Sequence, residues 1–303
     1  MQSASWGMMA PMPRVLVAGP ASWNLIVHVA DLPLPEPHAL FARSHYDSLG
    51  GTSAGKALNL ARLGVPVTLI TLVGDDETGA RITAELRAPG IDLVVIPSAN
   101  GSERHVNLMD ARGQRLSVYL TLPAAAHDVA VEPGLIDAAD LVVADLADHS
   151  RPFLRAAREA GKPVWCDLHD YDGASEFHRE FRDAADYLFL SGDRLADPEA
   201  FLRERVAAGS RLAVCTLGAR GAIACDSDGR IIRVPATPAG EVADTNGAGD
   251  AFFAGFLAAY LGGEPLTECL RQASRAGAMA VRTLDLTAAT LTPELLRTRT
   301  PLV

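Results

Sequence analysis

Short runs of consecutive apolar residues recur along this chain: Arg14–Gly19, Val67–Gly74, Leu93–Pro97, Leu141–Ala144, Val164–Asp167, Tyr187–Leu190 and Leu212–Leu217. They do not alternate apolar with polar residues, so they read as strands buried on both faces, the habit of a parallel sheet covered by helices. Helical patterns fall between them: one follows Gly50-Gly51 and ends near Gly64, and others span Thr78–Ala88, Arg151–Ala160 and Leu266–Val281. Alternation of this kind over 303 residues implies an α/β protein, either one large domain or a core with a smaller appendage. Such sheets bind ligands beyond the carboxyl ends of their strands. Ser22 and Asn24, read as loop residues after the first strand, are therefore pocket candidates. Asp145, Asp167, His169, Asp170, Ser191 and Asp193 follow later strands and read either as a magnesium-rich edge or as ordinary solvated loop residues. His149, His169 and His178 lack metal-ligand spacing.

The rhythm breaks once. Arg104–Met109 and Arg115–Leu120 flank Asp110-Ala111-Arg112-Gly113, a hairpin signal with no helix between its arms. Together with the extended piece around Phe41–Tyr46 they read as a small β-flap over the ligand edge, built from segments of about 38–49 and 100–122. Arg104, if it points into the cleft, is a candidate contact for an acidic ligand; more often such an arginine is solvated. A second hairpin is expected about Asp228-Gly229.

The stretch Asp244-Thr245-Asn246-Gly247-Ala248-Gly249-Asp250 carries the chemistry. An apolar helix follows at once, with Phe252, Phe253, Phe256, Leu257 and Tyr260 on one face. The glycines thus sit at a helix N-terminus, where N–H groups lack intrahelical partners and the dipole is positive. That is an anion hole made by Gly247, Ala248 and Gly249, and Asp250 lies within it. A carboxylate beside an anion hole suits a base that deprotonates a hydroxyl attacking a phosphate. The plainer alternative is a capped helix with Asp244 and Asp250 in dipole-favoured places. Gly50-Gly51-Thr52-Ser53-Ala54-Gly55-Lys56-Ala57 nearly matches the P-loop pattern but ends in Ala57, which has no hydroxyl for magnesium. The segment reads as a decoy: Lys56 is expected to matter for acceptor affinity or stability more than for ATP.

A net charge of −10 argues against a nucleic-acid or membrane-surface partner, and no apolar run reaches spanning length. Cys166, Cys215, Cys225 and Cys269 form no CxxC pair, so reduced thiols in a cytoplasmic protein are expected. Met1–Pro13 lacks the features of a signal peptide and reads as a disordered leader, with the core over 14–303.

Three motifs resemble the ribokinase/PfkB family of carbohydrate kinases. Asp244–Asp250 looks like its DTxGAGD signature, Thr216-Leu217-Gly218 with Gly221 like its TLGxxG nucleotide segment, and Gly50-Gly51 with Ala61-Arg62-Leu63-Gly64 like its N-terminal GG…ARLG signature. The resemblance implies a doubly wound, mostly parallel α/β sheet with a small β-lid. It also implies ATP and Mg2+ as cofactors, with K+ as a further candidate ion. Asp250 would be the catalytic base, and Thr216, Gly218 and Gly221 would line the nucleotide site. The small-molecule acceptor would be a sugar or sugar derivative, touched by Ser22, Asn24, Gly50, Gly51, Gly55 and Arg104. Any homodimer is expected through the lid.

The departures concern the acceptor. The family's Asn-x-Asp after the first strand looks like Ser22-Trp23-Asn24 here. Its GG-motif asparagine is Gly55, and Ala124-Ala125-Ala126 stands where Gly-Ala-Asn is common. Its Asn-x-x-Glu, which organises magnesium-bound water, is reduced to Ser191-Gly192-Asp193-Arg194, so that Asp193 is the substitute candidate. This altered set suits a less polar, bulkier or anionic acceptor. A nucleoside kinase, with Trp23 stacking on a base, and a catalytically idle binding protein are the competing readings.

Overall fold

The computed structural model describes residues 12–302, so the expected leader lies, apart from Met12 and Pro13, outside the described residues. Strand β1 (Val15–Ala18) opens the core. The chain leaves it for β2 (Ser22–His28) and β3 (Ser44–Gly50). It returns through α1 (Thr52–Arg62), β4 (Val67–Gly74), α2 (Glu77–Leu86) and β5 (Ile91–Ser98), then leaves again for β6 (Glu103–Met109) and β7 (Arg115–Thr121). After α3 (Pro133–Ala138) come β8 (Leu141–Ala144), α4 (Arg151–Glu159), β9 (Val164–Asp167), α5 (Arg179–Ala184), β10 (Tyr187–Ser191), α6 (Pro198–Ala207) and β11 (Leu212–Thr216). The hairpin β12 (Ala222–Asp226) and β13 (Ile231–Val234) precedes α7 (Ala248–Leu261), α8 (Leu266–Ala280) and α9 (Pro293–Arg297).

The large sheet runs β13-β12-β11-β10-β9-β8-β1-β4-β5. It is parallel from β5 to β11, and the last hairpin adds two antiparallel strands. Strand order reverses at β1, which lies between β4 and β8, so the crevice beyond its carboxyl end is a switch point. Consecutive strand residues feed different cores. Val15 and Val17 pack with α1, α7 and α8, whereas Leu16 and Ala18 pack with Phe153 of α4, Phe181 of α5 and Leu202 of α6. Because both faces are covered, the strands carry no polar alternation.

The second sheet, β3-β2-β6-β7, is mixed: β2 pairs antiparallel with β3 but parallel with β6. Residues expected as a loop after β1 are therefore a strand of this second sheet. The run Leu25-Ile26-Val27 has the composition of a strand, and β2 takes a central place with partners on both sides.

Helices α7 and α8 pack closely because small residues face each other. A Cβ on Gly255 would stand 2.8 Å from the Ala276 Cβ and 3.2 Å from the Ala273 Cα. Gly255→Val is expected to lower stability by about 1–3 kcal/mol through overpacking, although valine is the better helix former. Urea denaturation measures this, and an unchanged midpoint would show that the two helices can part freely.

Candidate active site

Asp250 sits in the first turn of α7. The N-cap Gly247 has φ 74°, and a Cβ there would lie 2.9 Å from the Leu286 carbonyl oxygen, so glycine is required twice over. The first intrahelical bond of this turn is donated by Ala251 N–H to the Gly247 carbonyl. Of the N–H groups before it, Ala248 donates to the Thr245 carbonyl at 3.4 Å, and those of Gly249 and Asp250 belong to the unpaired set at a helix start. At Gly249 an added Cβ would meet nothing within 4 Å, so open cleft lies over the turn, as a phosphoryl group needs. Asp244 does not cap the helix. It accepts from Asn246 N–H at 2.7 Å and from Tyr46 Oη of β3 at 2.6 Å, with His28 of β2 3.3 Å away. Burial and the Asp244 carboxylate push the Tyr46 phenol up, so it remains the donor. Thr245 Oγ1 also donates to the Gly113 carbonyl at 3.4 Å, so the β6–β7 turn rests on the same loop.

Beneath Asp250 lies a buried ammonium. Lys56 of α1 has a side chain with no exposed surface. Its Nζ stands 2.8 Å from Asp145 Oδ1, 3.2 Å from Asp167 Oδ2 and 3.5 Å from Asp250 Oδ1, and donates to Thr52 Oγ1 at 2.5 Å. Thr52 in turn donates to Asp250 Oδ1 at 2.5 Å, and Ser53 donates to Asp145 Oδ2 at 2.7 Å. Burial opposes the charge on Lys56, but the three carboxylates outweigh it and hold the ammonium well above its ordinary range. Burial would also raise Asp167, yet the neighbouring His169 and Lys56 charges bring it down to about 2. At Asp250 burial prevails over Lys56 and Thr52, and its carboxyl is raised above the usual carboxylate value. Asp145 and Asp167 are thus neither solvated nor free magnesium ligands, as the two readings of the strand-end acids had it. They are the counter-charges of Lys56.

One cleft of about 1520 Å³ joins the remaining candidates. On one side its lining includes Thr216, Gly218 and Gly221 together with Ser274, Gly277 and Ala278 of α8. Asp193 and Ser191 line the middle. On the other side stand Asn24, Gly51, Thr52, Glu103, His105, Asn107, Ser117 and Tyr119. Asn24 Oδ1 and Asn107 Oδ1 are buried and have no hydrogen-bond partner among the described residues. Ser22 and Gly50 lie behind this wall, where a Cβ on Gly50 would meet the Asn24 and Ser22 side chains. Gly55 lies beneath Asp250: a Cβ there would be 2.7 Å from Oδ2.

Two expectations are corrected. Strand alternation along β6 points Glu103, His105 and Asn107 inward and leaves Arg104 exposed and off the cleft lining, so its placement does not support contact with an acidic acceptor. Trp23 of β2 packs on the core with the Arg81 guanidinium 5.8 Å from its ring centroid, and it too is off the cleft lining, which removes the stacking platform for a base. Residues missed by sequence reasoning include Glu103, His105 and Asn107, whereas His169, read from the sequence only as a strand-end residue, lines the cleft with φ 51°. Its N–H donates to Asp167 Oδ1, and this strained non-glycine backbone beside the cleft marks a built position.

A family model described as pfkB family carbohydrate kinase matches residues 12–293. The acarbose 7(IV)-phosphotransferase of an Actinoplanes species is 34% identical over 280 residues, covering 88% of this chain and 91% of that protein. The ATP-dependent ribose-1-phosphate kinase of Halopiger xanaduensis is 32% identical over 282 residues, covering 88% and 92%. Among solved structures, a microbiome-derived acarbose kinase, Mak1, matches with a TM-score of 0.78 at 31% identity, covering 95% of this chain and 98% of that one.

The ion network makes stability depend on acid pH in one direction. Asp167 titrates near 2 when folded and near its ordinary value, about 4, when unfolded, so its contribution is full above the unfolded value and lost as pH falls through the folded one. The stability gap between the parent protein and Asp167→Asn should therefore shrink as pH is lowered from about 5 towards 2. Urea midpoints read this, and a gap constant over that window would mean that the charge of Asp167 contributes nothing.

Proposed function

The chain belongs to the PfkB family of ATP-dependent carbohydrate kinases, and we propose that it phosphorylates a bulky, non-anionic sugar derivative with Asp250 as the base. The observation that carries this reading is the placement of Asp250: one helical turn presents both the carboxylate and the anion hole, and the orphaned oxygens of Asn24 and Asn107 line the same cleft. Those two oxygens accept hydrogen bonds and so suit sugar hydroxyls. The buried Glu103 carboxylate, paired with His105 Nε2 at 2.8 Å, disfavours an anionic acceptor. Acarbose is the acceptor named for two of the relatives, and a cleft of about 1520 Å³ has room for an acceptor of several rings beside a nucleotide.

In the proposed reaction the acceptor hydroxyl loses its proton to Asp250 as its oxygen attacks the γ-phosphorus. The N–H groups of Gly247, Ala248 and Gly249 face the transferring group and stabilise the charge it carries. The part of the cleft lined by Thr216, Gly218, Gly221 and α8 takes the adenosine end. Magnesium, when bound, neutralises phosphate charge and is held mostly by phosphate and water, with Asp193 on the cleft wall holding it through water. The second sheet excludes water that would otherwise compete as acceptor. Along β7, Leu116, Val118 and Leu120 point outward and remain exposed, which supports a homodimer through this sheet. Free, buried cysteines support a reducing, cytoplasmic setting.

ADP release across a panel of sugars, sugar phosphates and nucleosides tests the acceptor class, with acarbose expected among the active compounds and the phosphorylated sugars inactive. Activity confined to nucleosides would overturn the reading. Asp250→Asn keeps the shape and removes the basicity, and should lower turnover by ~10²- to 10⁴-fold. ATP with magnesium at roughly 100 times its dissociation constant should still stabilise that variant by about 2.7 kcal/mol. Near-normal turnover in Asp250→Asn would refute the base assignment.

A further inference from the structure

Lys56 is the group that the reaction just described leaves unused. It cannot reach a phosphate, because its side chain has no exposed surface and lies behind Thr52 and Asp250. A purely structural lysine would be satisfied by Asp145 and Asp167, which match it in the core below. The link to Asp250 through Thr52 is additional, and hydrogen-bond chemistry fixes its direction. An ammonium only donates, so Thr52 Oγ1 accepts from Lys56 and must donate its own hydrogen to Asp250 Oδ1. That engages Oδ1. Oδ2 projects over Gly55, in space that any Cβ at that position would invade.

We propose that Lys56 is a positioning residue for phosphoryl transfer: through Thr52 its ammonium fixes Oδ1 of Asp250 and keeps the carboxylate ionised, so that Oδ2 takes the acceptor's proton. The inference rests on the reading of Asp250 as the base. In the step it serves, the acceptor O–H bond breaks and its proton passes to Oδ2. The acceptor oxygen bonds to the γ-phosphorus, the bond from that phosphorus to the β-phosphate oxygen breaks, and ADP leaves. The charges around the base come from every side. Asp250 is faced by Lys56 and Thr52 from α1 and by Asp167 and His169 from the end of β9, and Lys56 is faced by Asp145, Asp167 and Asp250. Burial already raises the Asp250 carboxyl and Asp167 adds to this, so Lys56 is the cation that most opposes its protonation. Without it, three acids share one pocket and the base titrates at higher pH.

The test compares the parent protein with Lys56→Met and with Lys56→Met/Asp145→Asn, in which one charge of each sign is removed to preserve folding. Carboxyl 13C NMR titration of Asp250, assigned with Asp250→Asn, needs no acceptor. The proposal requires the apparent pKa to rise by about one unit or more in every folded variant lacking Lys56. With acarbose, or the most active sugar of the panel, kcat should fall roughly 10- to 100-fold at neutral pH, its acid limb should move up, and KM for ATP should stay within about twofold. Because all forms use the same magnesium–ATP, titration of the nucleotide cancels in the comparison. A double variant that melts like the parent but keeps its Asp250 titration and its kcat would overturn the proposal and leave Lys56 a structural charge. Near-normal turnover in Asp250→Asn would instead remove the base reading, so the two failures are separable.

Discussion

The site depends on one buried cation. Lys56 ties α1 to the acids that end β8 and β9 and to the first turn of α7. Removing an ammonium from water is expensive, and in a protein it persists only with close counter-charges and satisfied hydrogen bonds. Here the three counter-charges come from three different segments, none of them α1 itself. The arrangement forms only when the sheet order is complete, since Asp145 follows β8 and Asp167 ends the neighbouring strand β9. Losing one member is costly because the others remain buried, so the network resists piecemeal change. Fold and chemistry are coupled at this point: the charges that complete the sheet edge also hold the carboxylate over the cleft.

The other fixed part is α7. Its apolar surface points in nearly all directions because it is enclosed by the sheet, α1 and α8. Trp165 stacks on Tyr187 with centroids 4.2 Å apart and meets Phe253 and Tyr260 edge-on, which anchors the helix to β9 and β10. Packing of this density leaves the first turn little freedom, and preorganised donors act on developing charge without reorganising. The second sheet meets the same loop differently, through Tyr46 and His28 on Asp244 and Gly113 on Thr245. These polar contacts lie at the cleft rim, while Leu49 of β3 and Trp23 of β2 join the second sheet to the main core.

Much of this was legible beforehand because it is local. Buried strands announce themselves as unbroken apolar runs, and several boundaries, such as Val67–Gly74, Leu141–Ala144 and Val164–Asp167, coincide with the observed strands. The helix start at Gly247 follows from glycine spacing and the apolar face after it. Strand β2 was hidden because a proline just before it and three prolines soon after suggested a turn. The Lys56 network was hidden for a deeper reason. Its partner Asp145 lies 89 residues away in sequence, and nothing local distinguishes an acid that will be buried against a lysine from one that stays in water. Rejecting Lys56 as a phosphate ligand needed only the missing hydroxyl at Ala57, whereas its actual partners needed the fold.

Inside and outside along β6 differ by one residue, and that decides which charge the acceptor meets. Sequence proximity offers Arg104 to an anionic acceptor, but the pleat turns it out and brings Glu103 in. Glu103 is engaged by His105, whose ring lies 3.9 Å from that of Tyr119, so the wall is held as a unit from β6 and β7. Gly55 belongs to the same reorganisation. Any side chain at that place would put a Cβ 2.7 Å from Asp250 Oδ2, closer than the carboxylate as placed allows. The polar grip lost from α1 reappears as the unpaired oxygens of Asn24 and Asn107 on the second sheet. The unpaired polar atoms that line the cleft thus lie on strands β2 and β6 of the second sheet rather than at Gly55 of α1.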